Sequence, residues 1–223
     1  MTELRRSIRG SVAPCVFDPV RLRWLHDQPL STHVIDFSGV RDYTQTIQEL
    51  AASLTKADLR AAMDALTDDV LGRIADCTDA DITFEPVDPI ANDTYAADSS
   101  EVALSWTLGH VVVHLTASAE EAAFIAAELA RGVAREGRSR YETPWPTLTT
   151  IEGARSRLEA SRRMIHATLA VWPDPPNLTV TVSGTTGPRN AIARFLGGLS
   201  HADSHREQIS EILRQAHAAG VRA

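Results

Sequence analysis

His201 and His205 are the residues whose types and spacing most clearly suggest chemistry. They lie four residues apart in a segment predicted to be helical, and side chains at that spacing project from the same face of a helix. Their imidazoles can therefore converge on one point, as a metal ion requires of two ligands from one helix. The same spacing is typical of a solvated histidine pair on a helix surface, so the pair alone leaves both interpretations open.

A long amphipathic helix from Pro188 to Gly220 is predicted to position this pair. Proline suits the first position of a helix, and glycine suits the position just after its end. Between them, apolar residues recur at steps of three and four: Ile192, Phe195, Leu199, Ala202, Ile209, Leu213 and Ala216. Gly197 and Gly198, one turn before His201, leave room for a neighbouring helix or for a pocket.

Three further amphipathic helices are predicted before this one. Their ranges are about 56–77, 100–131 and 149–172, with N-caps at Thr55, at Ser99 or Ser100, and at a capping box formed by Thr149 and Glu152. Four apolar stripes are buried most simply in a four-helix bundle, whose core is a usual place for a metal site. The predicted fold is therefore all-α, with a short extended segment at 178–183 and a structural turn at 184–187 before the last helix.

The composition of the chain argues against some classes of partner. The chain has 223 residues, with 22 basic and 29 acidic side chains, and it has no basic run. This balance argues against nucleic acid or an anionic membrane as the main partner. Cys15 and Cys77 lie far apart, and no segment has the length and apolarity of a membrane span, so we expect a cytoplasmic protein. Residues 1–40, broken by three prolines, are predicted to be an arm packed on a bundle of residues 41–223.

The second predicted helix carries two more histidines, His110 and His114. At 100° per residue, His114 lies about 70° from the centre of the apolar stripe and His110 about 110° from it. We therefore expect His114 at the edge of the buried face and His110 further out. The remaining histidines have no partner at ligand spacing: His26, His33, His166 and His217.

The two histidine segments together resemble a known family signature. The residues from Trp106 to His114 read WTLGHVVVH, and those from His201 onward read HADSHREQI. This pair of motifs resembles the signature of the DinB/YfiT-like superfamily, over roughly residues 55–216. The resemblance implies a DinB-like four-helix bundle and assigns His114, His201 and His205 as three metal ligands. It does not make His110 a ligand, and we expect His110 and Gln208 to lie beside the ligands and to orient them.

Three neutral imidazoles leave at least one coordination position open, which is typical of a catalytic metal site. Zinc or nickel suits such a ligand set best, while iron and manganese remain alternatives. The resemblance implies a transferase or isomerase that acts on a small-molecule substrate with a low-molecular-weight thiol of the mycothiol, bacillithiol or glutathione type. Two alternatives stay open: hydrolysis by metal-bound hydroxide without a thiol, and a metal-binding bundle that is not catalytic. A homodimer is also compatible with the fold.

Overall fold

A computed structural model of the chain describes residues 35–94, 96, 98–135 and 144–221. Its α-helices are α1 (Ser38–Arg41), α2 (Ile47–Ala51), α3 (Lys56–Arg73), α4 (Asp79–Thr83), α5 (Leu108–Ala130), α6 (Ile151–Ala170), α7 (Ala191–Ser204) and α8 (Arg206–Ala218). Single 3₁₀ turns occur at Ser99–Glu101 and Trp145–Thr147. Most of the predicted N-terminal arm lies outside the described residues, so its packing on the bundle stays a prediction.

The predicted four-helix bundle is formed by α3, α5, α6 and the consecutive pair α7 and α8. α5 packs on α6 and α7, and α3 packs on the same two helices, so α3 and α5 occupy diagonal positions. Around the histidines, the core is built from side chains of α3, α5, α6 and α8, including Val70, Val111, Leu115, Leu158 and Ile209. Within the described part of the chain, no helix is both long and apolar enough to cross a membrane.

The N termini of α5 and α6 differ from the predicted ones. α5 begins at Leu108, because Ser99 and Ser100 lie in a separate 3₁₀ turn and the Oγ1 atom of Thr107 accepts the hydrogen bond from His110 N. The capping box predicted from Thr149 does not form, and Thr150 caps α6 instead. The late start of α5 leaves Trp106 outside the helix, where its indole stacks against His110 and contacts His114 at a tilted angle.

The predicted last helix is two helices. It begins at Ala191, after the N-cap Asn190, and it breaks between α7 and α8 at His205. The Ser204 hydroxyl donates to the carbonyl of His201 at 2.6 Å, and local competition of this kind bends helices. Gly220 lies beyond the end of α8 with φ of 73°, as predicted for a glycine at that position.

A short extended segment precedes α7, as predicted. Val182 and Arg189 form an isolated antiparallel bridge, in which each residue donates its backbone N–H to the carbonyl of the other, at 3.0 and 2.9 Å. The bridge closes the turn that contains Gly184 and Gly187, and Gly187 adopts a φ of 121° that favours glycine. The turn thereby brings Arg189 close to the first turns of α7.

Gly198 permits the close approach of α5 and α7. A Cβ atom at this position would collide with the Cβ of Ala122 and would lie 3.4 Å from the Cα of Ala119. Since α5 carries His114 and α7 carries His201, this close approach brings the two histidine segments together.

We expect Gly198→Ala to lower the free energy of unfolding by about 1–2 kcal/mol, because overpacking outweighs the gain in helix propensity. Gly72→Ala is a matched control, since a Cβ there meets nothing within 4 Å. This control should raise the free energy of unfolding by about 0.5–1 kcal/mol. Urea unfolding of both variants measures the difference. Equal stabilisation by the two substitutions would contradict the close packing at Gly198.

Candidate metal centre

Three histidine side chains from α5 and from the α7–α8 junction meet in one cluster. The Nε2 atoms of His114 and His201 are 2.8 Å apart, and those of His201 and His205 are 3.4 Å apart. One potential ligand atom from each histidine lies within 4.8 Å of the others. The structure therefore brings together the three residues that the resemblance assigned as ligands.

Gln208 orients the His205 ring. Its Oε1 lies 2.8 Å from His205 Nδ1, and an amide oxygen can only accept, so the ring donates from Nδ1–H. In the neutral imidazole this tautomer leaves the lone pair on Nε2, the atom that faces His201. A metal-binding histidine usually donates its second ring N–H in this way. The contact fits the orienting role expected for Gln208.

The environment of His205 favours its neutral form. Burial lowers the pKa of His205 below the usual value for histidine, and the hydrogen bond with Gln208 acts in the opposite direction. His114 is half-buried and His201 is exposed. Neutral imidazole is the form that binds a metal. The half-buried ring of His205 is therefore in the form that binds a metal near neutral pH, while the exposed ring of His201 gives access to the site.

His110 occupies a different environment from the one predicted. It is buried, and it stacks between the indoles of Trp106 and Trp145, with both ring-centroid distances at 4.4 Å. The prediction placed it towards solvent and was wrong, because Trp106 and Trp145 cover that side of α5. Burial lowers the pKa of His110 to about 4, although the charge of Asp93 raises it. Nδ1 of His110 has no hydrogen-bond partner among the described residues.

The histidine cluster forms one wall of a cavity of about 400 Å³. The connection between α4 and α5 also lines this cavity, through residues that include Asp88, Ile90, Asn92 and Asp93. Trp106 and Leu104 add apolar surface. A cavity of this size, with apolar surface and a few polar groups, is typical of small-molecule sites.

The spacing of the three nitrogens suits a metal ion. Tetrahedral zinc, with Zn–N bonds of about 2.0–2.1 Å, holds its nitrogen ligands about 3.3 Å apart. The two Nε2 separations at His201 lie on either side of that value. The candidate ligands are imidazoles alone, a set that suits zinc, nickel, copper and iron better than magnesium or calcium. The donor set therefore fits a divalent transition metal, and three protein ligands would leave at least one coordination position open.

The family model that describes sequences of the DinB superfamily matches residues 62–209 of the chain. The chain belongs to the DinB superfamily. The matched range runs from α3 into α8 and contains both histidine segments, which confirms the resemblance found in the sequence. Comparisons with curated proteins and with solved structures gave no match.

Several residues of this DinB site were not identified from the sequence. Trp145 lies between two prolines in a segment predicted to be a loop, and only its size and aromaticity pointed to it. Asp88 and Asp93 lie in a polar connection that resembles ordinary solvated chain. Of the histidines without a predicted partner, His166 lies 3.0 Å from Asp64 and His217 is exposed on α8, whereas His26 and His33 lie outside the described residues.

Proposed function

We propose that this DinB protein is a metal-dependent transferase or isomerase that uses a low-molecular-weight thiol. The observation that carries the proposal is the placement of three imidazole nitrogens at the wall of a 400 Å³ cavity. A divalent metal held there, zinc or nickel by preference, would lower the pKa of a thiol or water bound to it. The ligands we assign are His114, His201 and His205, and Gln208 holds the last of them in its metal-binding tautomer.

The chain's own residues support a small-molecule reaction in this cavity. Trp106 and Leu104 offer apolar surface to a substrate, while Asp88, Asn92 and Asp93 offer polar contacts. The thiol sulfur would form a bond to an electrophilic carbon, and the leaving group would depart with the bonding electrons. The thiol proton would pass to solvent or to a carboxylate in the wall. Mycothiol, bacillithiol and glutathione are the thiol classes to test.

The open cavity favours catalysis over a purely structural metal site. A structural zinc site is closed by four protein ligands, whereas catalytic sites keep one position for water or substrate. Here three histidines converge among the described residues, and His201 is exposed. This arrangement supports an enzyme, with either a thiol or a water as the reacting group.

Thiol-dependent turnover tests the proposal. The zinc- or nickel-loaded protein is mixed with each thiol and a chlorinated aromatic electrophile, and thiol consumption is measured. We expect turnover with one thiol class, and a loss of at least about 100-fold in His201→Ala, because that variant lacks a ligand. His217→Ala is the matched control, since His217 lies exposed on α8 and away from the cluster.

The other outcomes identify the alternatives. Metal-dependent hydrolysis of an activated ester without a thiol would replace the transferase proposal with a metal-hydroxide hydrolase. Stoichiometric metal with no turnover in either assay would indicate a metal-binding bundle without catalysis. Equal thiol turnover in the native protein and in His201→Ala would show that the histidine cluster is not the reacting site.

A further inference from the structure

A second cavity lies between α5, α7 and the turn that precedes α7. Its volume is about 550 Å³, within the range of small-molecule sites. The residues that line it in the described part of the chain include Arg135, Arg189 and Arg194 and no carboxylate. Arg135 lies 3.5 Å from Glu128 in an exposed ion pair, so the distinctive residues are the other two arginines.

Arg189 is held by the backbone around it. Its N–H and carbonyl form the bridge with Val182, and its side chain lies across two glycines. A Cβ on Gly184 would lie 2.5 Å from Arg189 Nε, and a Cβ on Gly197 would lie 2.9 Å from Nη1. Nε is buried and has no hydrogen-bond partner among the described residues. The two glycines therefore make room for a guanidinium whose hydrogen-bonding capacity is not fully used.

Arg194 places a second positive charge close to the first. Burial lowers the pKa of Arg194, Glu121 raises it, and the charge of Arg189 lowers it further. Burial also lowers the pKa of Arg189. Two half-buried guanidinium groups that repel each other are unfavourable unless an anion compensates them. Glu121 offsets part of this charge, but it does not line the cavity.

We propose that Arg189 and Arg194 bind the oxyanionic group, carboxylate or phosphate, of a small-molecule ligand in this cavity. Guanidinium groups bind both kinds of anion through paired N–H donors. Ile125 and Val182 supply an apolar wall, so the ligand is an organic acid or a phosphate ester with an apolar part. Arg194 lies seven residues before His201 on α7, about 10 Å along the helix axis, so this site is separate from the histidine cluster.

Calorimetric titration of the full chain with inorganic phosphate and with benzoate, at constant ionic strength, tests the proposal. We expect saturable binding of at least one of them at one site per chain. Arg189→Gln and Arg194→Gln should each weaken it by at least about tenfold, because a desolvated charge pair is lost. Tighter binding of benzoate identifies a carboxylate ligand, and tighter binding of phosphate identifies a phosphate ester.

Three further variants test whether the anion binds at Arg189 and Arg194 and not elsewhere on the chain. Arg214→Gln removes the same charge from an exposed residue paired with Glu211 and should leave binding unchanged. Gly197→Ala keeps every charge but displaces the Arg189 guanidinium, so it should weaken binding several-fold. His201→Ala should bind both anions normally, which separates this site from the metal centre. Absence of saturable binding, or equal binding by Arg189→Gln and the native chain, would overturn the proposal.

Discussion

Replacing His201 by alanine is expected to remove metal binding from the purified chain, whereas His217→Ala leaves it intact. His201 Nε2 lies within 3.4 Å of the Nε2 atoms of both other histidines, so its loss leaves only two of the three proposed ligands. Loss of a residue that merely orients a ligand costs about 10–100-fold in affinity, and loss of a ligand should cost more. Titration with Zn²⁺ and Ni²⁺, together with elemental analysis, measures the effect.

Gln208→Ala should give an intermediate result. Its amide oxygen accepts the Nδ1–H of His205, and without it the ring can adopt the other tautomer or turn away. We expect metal affinity to fall by about 10–100-fold, with one metal still bound per chain at saturation. The order of affinities is therefore native, then Gln208→Ala, then His201→Ala. If Gln208→Ala binds metal with the native affinity, Gln208 does not orient His205 for metal binding.

Protein stability provides an independent measure of the same site. A metal that binds only the folded chain raises the free energy of unfolding by about 4 kcal/mol when its concentration is about 1,000 times Kd. The native chain and His217→Ala should both show this increase in thermal or urea unfolding. His201→Ala should show almost none. Equal stabilisation of His201→Ala by zinc would mean that the metal binds elsewhere.

The bundle and the grouping of the three histidines could be predicted, because both depend on local periodicity and on a two-part motif. Thr55 caps α3 as predicted, with its Oγ1 accepting from Asp58 N. The apolar stripes of α5 and α7 are the faces that pack together. His114 and His201 are 87 residues apart in sequence, so spacing alone could not pair them. The family pattern supplied that connection.

The break at His205 could not be predicted, because local contacts act there together with one that is distant in sequence. Arg206 binds both carboxylate oxygens of Asp69 at 2.8 Å and also binds Asp203 at 2.9 Å. Asp69 lies on α3, 137 residues away from Arg206. Together with the Ser204 hydroxyl, these bonds hold the chain where α7 ends and α8 begins. An amphipathic pattern continues across such a break, because the apolar face on both sides is the same.

The position of His110 was predicted wrongly for a related reason. Its angle from the apolar stripe of α5 places His110 towards solvent only if no other part of the chain covers that side of the helix. Trp145, in a 3₁₀ turn between α5 and α6, covers that side, and Trp106 folds back from the α5 N terminus. Neither contact follows from the periodicity of α5. The result is a buried histidine between two aromatic faces.

This buried histidine should make the stability of the metal-free protein depend on pH. Its pKa is about 4 in the folded chain, against an ordinary value of 6.5. Between these values the unfolded chain binds more protons, so the free energy of unfolding falls as the pH falls from about 6.5 to about 4. The difference in pKa corresponds to about 3 kcal/mol. Attraction between an imidazolium and the indole faces offsets about 1 kcal/mol of this, leaving about 2 kcal/mol.

His110→Phe tests this expectation, because phenylalanine keeps an aromatic ring in the stack and does not titrate. In urea unfolding with a chelator present, the native chain should lose about 2 kcal/mol more than His110→Phe between pH 7 and pH 4. His217→Phe is the control, since His217 is exposed and its removal should leave the pH profile of the native chain unchanged. Parallel profiles for the native chain and His110→Phe would mean that protonated His110 is tolerated between the two indoles. The aromatic stack, rather than burial, would then determine its charge.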